Sequence, residues 1–394
     1  MAKIMAVNAG SSSLKFQLLE MPSELVICSG IVERIGLEEG IFTIKHNGQK
    51  KTEKLPIPDH KVAVSLLLEA LVKEKIVEKL EEIEGVGHRI VHGGEYFDSS
   101  AVVNEDVVSK VEELCELAPL HNPAHLVGYR AFKEALPGVG HVFVFDTAFH
   151  QTLDRERYLY PLPLEYYTDY KIRKYGAHGT SHKYVSEQVI KELGNPKHSR
   201  IIVCHLGNGA SLSAVLDGKC IDTSMGFTPL AGVMMGTRSG SIDPSVISFL
   251  IEQHGYTIEQ IDELLNKKSG ILGISGVSSD FRDVLEAAES ENERAKLALE
   301  IFYYKVRTQI AAYAGAMGGV DVIVFTAGIG ENSSITRREI LKGLEFFGFT
   351  INTEKNELRG KIQEISNEDS RVKVYVVPTN EELMIARDTA KLVK

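Results

Sequence analysis

The chain contains the segment Ile4-Met5-Ala6-Val7-Asn8-Ala9-Gly10 and a gapless counterpart, Ile201-Ile202-Val203-Cys204-His205-Leu206-Gly207. Each segment is typical of a buried strand that runs into a turn of small residues, because its first half is apolar and its end contains glycine. Two further strand patterns follow each segment, at 14–19 and 26–33 in the first copy and at 211–216 and 219–222 in the second. The repeated order indicates a duplicated domain, although any two β-hairpins share part of this pattern, so the pattern alone leaves chance similarity open.

Other short apolar runs rich in β-branched residues alternate with helical patterns. Strands are predicted at 86–91, 141–145, 320–325 and 372–377. Helices are predicted over Lys61–Glu84 and over Glu289–Met317, and the second helix is predicted to close on Gly318-Gly319. Near-continuous apolar strands separated by helices favour an α/β fold with a mainly parallel sheet.

Composition excludes several classes of protein. The 394 residues suggest about two or three domains. The formal net charge of −10 argues against a nucleic-acid partner, since phosphate neutralisation requires a basic surface. Apolar runs of about six to eight residues are too short to span a bilayer, which predicts no membrane partner. Four scattered cysteines without a CxxC motif, and no signal-peptide pattern, predict a cytoplasmic protein with reduced thiols.

Turns of small residues follow three of the predicted strands. Residues 8–15 combine three serine hydroxyls with Lys15, so their backbone N–H groups could cradle a phosphate, although a plain serine-rich hairpin is the alternative. Glycine turns at 205–211 and 326–332 also come directly after buried strands. Because ligands of α/β sheets bind beyond the carboxyl ends of strands, three such turns indicate a binding site.

Two arginines and two other polar residues stand in similar places. Arg89 lies within an apolar strand and Arg238 lies in a turn of small residues. The guanidinium fork suits a carboxylate or a phosphate, and a structural ion pair is the equally weighted alternative. Asp146 follows the strand 141–145, and His178 lies in a polar turn. Together these residues suit phosphoryl transfer, which requires positioning and charge neutralisation.

The chain resembles the acetate kinase family, which also includes propionate and butyrate kinases. The resemblance runs from Asn8 to Glu382 and rests on the segments 8–15, 87–95, 118–123, 144–152, 175–182, 205–211, 225–244 and 326–332. It implies an α/β fold of duplicated ribonuclease-H-like (actin-like ATPase) domains with a nucleotide cleft between them. The implied domains are residues 1–150, joined by a C-terminal helix at 380–394, and residues 151–379.

The resemblance also implies a role for individual residues. The implied catalytic residues are Arg89, Asp146, His178 and Arg238. The implied acid site consists of Arg89, Val91, Leu120 and Pro229, and the implied metal ligands are Asn8 and Glu381. The implied nucleotide-binding residues are Lys15, His205, Leu206, Gly207, Asn208, Gly209, Asp280, Phe281, Arg282, Gly328, Ile329, Gly330, Glu331 and Asn332.

By resemblance, we expect a homodimer that transfers the γ-phosphoryl group of ATP to acetate reversibly, with Mg²⁺ as cofactor, Mn²⁺ as a substitute and ADP as a product. The alternatives are a propionate or butyrate kinase, and a non-catalytic actin-like or chaperone-like nucleotide-binding protein.

Four positions depart from the family pattern. Ala177 replaces a usual phenylalanine, His125 replaces a usual asparagine, and Ala231 and Ser241 replace acids. The change at Ala177 leaves the preferred acid open, because the loss of a ring opens space.

Overall fold

A computed structural model of the chain describes residues 1–393 and divides it into two compact units. The first unit comprises Met1–Gln151 and Asn380–Lys394, and the second comprises Thr152–Thr379. The strands are β1 Ala2–Ala9, β2 Ser13–Met21, β3 Leu25–Glu33, β4 Gly40–His46, β5 Gln49–Leu55, β6 Ile83–Ile90, β7 Ala101–Val102, β8 Gly140–Phe145, β9 Arg200–Leu206, β10 Ala210–Leu216, β11 Lys219–Thr223, β12 Val322–Thr326, β13 Gln363–Glu364 and β14 Lys373–Val376.

Helices flank the strands in both units. They are α1 His60–Lys73, α2 Glu105–Glu113, α3 Asn122–Ala135, α4 Arg155–Tyr158, α5 Glu165–Tyr170, α6 Gly179–Glu192, α7 Ser245–His254, α8 Ile258–Lys267, α9 Gly270–Ser275, α10 Phe281–Glu289, α11 Glu293–Ala316, α12 Ala327–Asn332, α13 Ser334–Leu341, α14 Thr353–Asn356 and α15 Glu381–Leu392. Within residues 1–393, none of these helices combines the length and the apolar character needed to cross a membrane.

The two sheets share one strand order. The first sheet is ordered β5-β4-β3-β2-β1-β6-β8-β7 and the second β11-β10-β9-β12-β14-β13. In the first sheet, β1 pairs antiparallel with β2 and parallel with β6. In the second sheet, β9 pairs antiparallel with β10 and parallel with β12. The series β3-β2-β1-β6-β8 therefore corresponds position by position to β11-β10-β9-β12-β14. This correspondence confirms the duplication indicated by the segments 4–10 and 201–207.

The prediction of a mainly parallel sheet is wrong, because both sheets are mixed. Strands β1 to β5 pair antiparallel in succession, and only β1, β6 and β8 are mutually parallel in the first unit. The connections explain the difference. Turns of a few residues join β1 to β2, β2 to β3 and β4 to β5, and such turns permit only antiparallel pairing.

Both predicted helices are shorter than expected. Helix α1 ends at Lys73, because Lys75 adopts a left-handed conformation with φ 55°, and the N–H groups of Ile76 and Val77 both donate to Leu71 O. This ending buries Ile76 and Val77 in the core, so the apolar spacing that suggests a longer helix reflects core packing. The second helix starts at Glu293, where Asn292 caps it, but it closes on Gly318 and Gly319 as expected.

The parallel strands bring polar residues to one edge of each sheet. In the first unit, Asn8 and Arg89 lie near the carboxyl ends of β1 and β6, and Asp146 directly follows β8. In the second unit, the turn after β9 lies beside the start of α12, since Thr326 is registered with His205. The glycine turn predicted at 326–332 is therefore wrong, because most of that segment is helical. Each unit therefore presents a set of the predicted site residues at the edge where ligands of such sheets bind.

Candidate functional site

Arg89 and Asp146 form a part-buried ion pair in the first unit. Arg89 Nε lies 3.2 Å from Asp146 Oδ1 and 3.1 Å from Oδ2, and Nη2 lies 2.6 Å from Oδ2. Asp146 is 1% exposed. Burial tends to lower the pKa of Arg89, but the charges of Asp146 and Glu381 outweigh it and raise this pKa above its ordinary value. Arg89 is therefore a permanent cation whose orientation Asp146 fixes from one side.

Acidic residues at the start of α15 face the same region. Asn380 caps the helix by accepting a hydrogen bond from Leu383 N at 3.0 Å. Burial raises the pKa of Glu381, Arg89 opposes the rise, and Asp146 and Glu382 add to it. Glu382 forms an ion pair with Lys15. Lys15 is the cross-strand neighbour of Asn8, so this arrangement collects cations, carboxylates and an amide at one sheet edge.

Asn8 and Glu381 fit a magnesium ion. Mg²⁺ prefers hard oxygen ligands, is commonly held by one or two protein groups and takes its remaining ligands from waters and phosphates. Within residues 1–393, no group of three or more His, Cys, Asp or Glu side chains is arranged to hold a metal. One amide and one carboxylate, with a second carboxylate already paired to Lys15, match that sparse mode of binding.

His178, Gly209 and Arg238 lie together in the second unit. A Cβ atom at Gly209 would lie 3.4 Å from Nε2 of the His178 ring and 3.7 Å from Arg238 Nη1. Glycine therefore brings the turn after β9 close to both side chains. His178 itself precedes α6 in a left-handed conformation with φ 58°, which is uncommon for a non-glycine residue and recurs at ligand sites.

Serine hydroxyls fix the histidines of this cluster. Ser211 Oγ lies 2.8 Å from Nδ1 of His178 and 2.8 Å from Nε2 of His182. His205 stacks on His178 with the ring centroids 4.3 Å apart, and its Nδ1 lies 2.8 Å from Ser181 Oγ. With Nδ1 engaged in each case, Nε2 is the nitrogen of His178 and His205 that is directed away from the serines.

Arg238 is a part-buried cation without an acidic partner in the part of the chain that the structure describes. Its Nη1 donates to Pro229 O at 3.3 Å and contacts Met235 Sδ at 3.8 Å. Burial lowers its pKa from the ordinary value. A desolvated guanidinium with only a carbonyl and a thioether beside it is poorly compensated. An anionic ligand would provide the missing charge.

Glu331 and Arg337 hold the glycine segment that follows β12. Glu331 Oε1 accepts hydrogen bonds from Ala327 N at 2.8 Å and from Thr379 N at 3.1 Å. Arg337, which is 1% exposed, donates to Gly330 O at 2.8 Å and to Glu331 O at 3.0 Å. The Glu331 side chain and Arg337 thus hold the segment in place.

The other predicted nucleotide segment begins α10. Asp280 accepts a hydrogen bond from Arg282 N at 2.9 Å and pairs with the Arg282 side chain at 2.6 Å, while Phe281 is buried. Ile329 packs against the core cluster that contains Phe281. Residues 280–282 and residues 328–332 are thus connected through packing against the same core cluster.

The residues predicted to bind the acid differ in exposure. Val91 is buried, whereas Leu120 is 76% exposed, and Pro229 contributes its carbonyl to Arg238. Ala177 is 4% exposed and belongs to the core cluster of the second unit, which also contains Met225 and Met235.

The sequence-based residues are divided between the two units, with one group around Arg89 in the first and another around His178 in the second. Sequence reasoning missed the residues that hold these groups in place, namely Ser181, Glu382 and Arg337 as side-chain partners. Arg337 carried a local signal, since an arginine shortly after a glycine turn can bind the carbonyls at the end of that turn. Ser181 and Glu382 lay within segments already singled out, but their partners are distant in sequence.

Comparison with known proteins gives consistent results. A profile of the acetokinase family matches residues 3–387. Acetate kinases of Geobacillus kaustophilus and Bacillus subtilis are 58% and 57% identical, each covering 100% of this chain, with 99% and 100% of the relatives covered. Solved structures of a Porphyromonas gingivalis acetate kinase and a Francisella tularensis propionate kinase are 47% and 43% identical, with TM-scores of 0.96 and 0.94 and full coverage of both chains.

Proposed function

The chain belongs to the acetokinase family, and from that premise we propose that it transfers the γ-phosphoryl group of ATP to acetate, reversibly, giving acetyl phosphate and ADP. The observation that carries the proposal is Arg238, a desolvated cation without a carboxylate partner among residues 1–393. A non-catalytic nucleotide-binding protein has no use for such a cation beside a histidine, whereas a phosphoryl-transfer site does.

The reaction needs no general base. Acetate is ionised at pH 7, so its carboxylate oxygen can attack the γ-phosphorus in line without losing a proton. Charge spreads over the phosphoryl oxygens in the transition state. We assign Arg89, Arg238 and His178 to that charge, with Arg89 also binding the acid's carboxylate. Asp146 acts by orienting Arg89, with which it makes a forked contact.

Nucleotide and metal are assigned to the remaining polar residues. Lys15 and the backbone of His205–Gly209 would bind the phosphates of ATP, and the segments 280–282 and 328–332 would bind its nucleoside. To bind a phosphate, Lys15 would have to break its ion pair with Glu382 or contact Glu382 and the phosphate at the same time. Asn8 and Glu381 would hold Mg²⁺, or Mn²⁺ in its place, and the bound ion would neutralise charge on the β- and γ-phosphates.

Ala177 favours propionate as a second acid substrate. A methyl group there occupies less volume than the phenylalanine that the family usually has. One methylene changes the free energy of discrimination in an apolar pocket by about 1–3 kcal/mol. Met225 and Met235 belong to the same core cluster and can fill such space, since methionine adapts to irregular gaps. The preferred acid therefore depends on how those side chains repack.

The acid is identified by an acyl-hydroxamate assay with ATP, Mg²⁺ and formate, acetate, propionate or butyrate in turn. We expect the highest kcat/KM with acetate and measurable turnover of propionate. Hydrolysis of ATP without any acyl phosphate would contradict the proposed function. A higher kcat/KM for propionate than for acetate would leave the reaction class unchanged and make propionate the preferred substrate.

We also propose that the protein acts in the cytoplasm as a homodimer through α7. This ten-residue helix, Ser245–His254, contains Val246 and Phe249, yet none of its residues is buried. Phe249 is 56% exposed, and Ile242 just before the helix is also exposed. A cluster of exposed apolar side chains on one helix is typical of an interaction surface, and a second copy of the chain would cover it.

Light scattering coupled to gel filtration tests this dimer. Phe249→Asp should give a monomer that remains folded, because the side chain contributes little to the core of its own unit. Phe346, 71% exposed and remote from α7 in sequence, provides the matched control. Phe346→Asp should stay dimeric, and a dimeric Phe249→Asp variant would exclude this surface.

A further inference from the structure

His125 is a buried polar residue that the reaction described above does not use. It lies on α3 and is 4% exposed. Neither Nδ1 nor Nε2 has a partner at normal hydrogen-bond distance and angle among residues 1–393, although both atoms are shielded from solvent and the Ala9 backbone lies nearby. Few buried side-chain nitrogens in folded proteins lack a partner, so each such atom calls for a physical explanation.

The position of α3 directs His125 toward the end of β1. Gly128, one turn further along α3, lies so close to β1 that a Cβ atom there would be 2.5 Å from Cβ of Ala9. Residues three apart on a helix share a face. The side of α3 that carries His125 therefore packs where β1 presents Asn8 and Ala9.

The charges that act on His125 identify its surroundings. Burial and, to a smaller extent, the Arg89 cation lower its pKa to about 4, although the Asp146 carboxylate and the nearby Ala9 backbone oppose this shift. The ring is therefore near the Arg89–Asp146 pair and neutral at pH 7. A neutral imidazole has one N–H donor and one acceptor nitrogen.

An apolar side chain would suit a purely structural position better. Leaving a buried donor or acceptor unpaired costs about 1–3 kcal/mol, whereas an apolar group of similar size carries no such penalty. Asparagine, which the family resemblance gives as the usual residue here, again offers one donor and one acceptor function on a buried side chain. Both residue types thus carry hydrogen-bonding groups at this buried position.

We propose that His125 is a further ligand-binding residue, whose ring N–H donates a hydrogen bond to an oxygen of the anion held by Arg89. The anion is an oxyanion of the reaction, either the acid's carboxylate or the phosphoryl group of acetyl phosphate. This inference rests on the proposed function for the placement of the anion at Arg89. His125 would then exchange an unsatisfied state in the free protein for a hydrogen bond in the complex.

Kinetics of two variants test the proposal. His125→Leu removes the hydrogen-bonding atoms while keeping an apolar volume, and His125→Asn keeps a donor and an acceptor. We expect His125→Leu to raise the KM for the anion by about tenfold or more, as for the loss of a hydrogen bond to a charged group. The KM for ATP should change less than about threefold, and His125→Asn should stay near the parent. Measuring both acetate and acetyl phosphate shows which oxyanion contacts the ring.

Urea unfolding of the free proteins separates binding from structure. We expect His125→Leu to be as stable as the parent or more stable, because an unpaired buried group is removed. Lower stability with proportionate losses in every kinetic constant would overturn the proposal, as would unchanged KM values for both oxyanions. His125→Met replaces His125→Leu if the latter does not fold.

Arg89→Lys, measured in parallel, separates the role of His125 from the location of the anion at Arg89. A defect in Arg89→Lys together with normal kinetics in His125→Leu would reject only the role of His125. Normal kinetics in Arg89→Lys would instead reject the proposed location of the anion, and with it the basis for assigning His125.

Discussion

Arg89 and Arg238 are both guanidinium groups, but their neighbours differ. Asp146 grips Arg89 through two nitrogens, whereas Arg238 has a carbonyl and a thioether beside it. Lysine at either position keeps the charge and loses the planar fork. We expect Arg89→Lys and Arg238→Lys to lower kcat by about 10²-fold or more, as for the loss of one charge-stabilising donor.

Steady-state kinetics at saturating acetate check these two variants. Arg130, an exposed arginine paired with Glu112, provides the matched control, and Arg130→Lys should retain the parent kcat. A variant of Arg89 or Arg238 with near-normal kcat would remove that arginine from the chemical step.

A second prediction concerns Ala177 and the size of the acid substrate. Ala177→Phe restores a ring where the structure has a buried methyl group. We expect the ratio of kcat/KM for acetate to that for propionate to rise by roughly tenfold, because the larger side chain leaves less room for the extra methylene. Equal ratios in parent and variant would show that Met225 and Met235 already fill this space or that residue 177 does not face the acid.

At the scale of elements, α12 depends on a residue outside it. Arg337 on α13 donates to the carbonyls of Gly330 and Glu331 and also binds the Asn356 side chain at 2.8 Å. Burial lowers the pKa of Arg337 to about 10, so it remains a cation at pH 7. Since α12 is assigned to the nucleotide, we expect Arg337→Met to raise the KM for ATP by about tenfold or more and the KM for acetate much less, through displaced carbonyls.

Arg338 offers a control for Arg337 at the adjacent position. Its side chain is exposed and pairs with Glu339, so Arg338→Met should leave the KM for ATP unchanged. Assays well below the unfolding temperature of each variant keep a loss of stability from imitating a loss of affinity. Equal increases in the KM for ATP and acetate in Arg337→Met would indicate a general structural defect.

At the scale of the whole molecule, buried histidines make stability depend on pH. His88 Nε2 lies 3.0 Å from His141 Nδ1 within the core of the first unit. Burial lowers the pKa of His141 to about 4 and lowers the pKa of His88 well below its ordinary value of 6.5. Below pH 6.5 the unfolded chain therefore binds protons that the folded chain does not bind. The free energy of unfolding should fall as the pH drops from about 6.5 to about 4.

Urea titrations at several pH values measure this dependence. The double variant His88→Leu/His141→Leu removes both histidines of the hydrogen-bonded pair, so we expect a shallower loss of stability in the same pH range. His198, which is exposed, is the control, and His198→Gln should keep the parent slope. An unchanged slope in the double variant would show that other groups cause the acid sensitivity.

Side-chain pattern was enough to locate most of the strands and the residue types of the site. Apolar, β-branched runs located β1, β2, β9, β10 and β12 to within a few residues, because strand formation follows side-chain pattern. The glycine turn after β9 was also evident, since glycine is needed where backbone or ligand approaches closely. The turn predicted at 326–332 was wrong, because Ala327–Asn332 forms α12. The types of residue after these strands already favoured phosphoryl transfer.

Tertiary structure alone decided which residues meet. Arg89 and Asp146 lie 57 positions apart and pair because β6 and β8 are adjacent and parallel. Ser211 reaches His178 because β10 folds back on β9, and Glu382 reaches Lys15 because α15 returns to the first sheet. The end of α1 at Lys73 was equally hidden, since its apolar spacing continues into core residues. Periodicity reports a residue's local environment, whereas strand adjacency arises from non-local packing, which the spacing of residues along one chain does not encode.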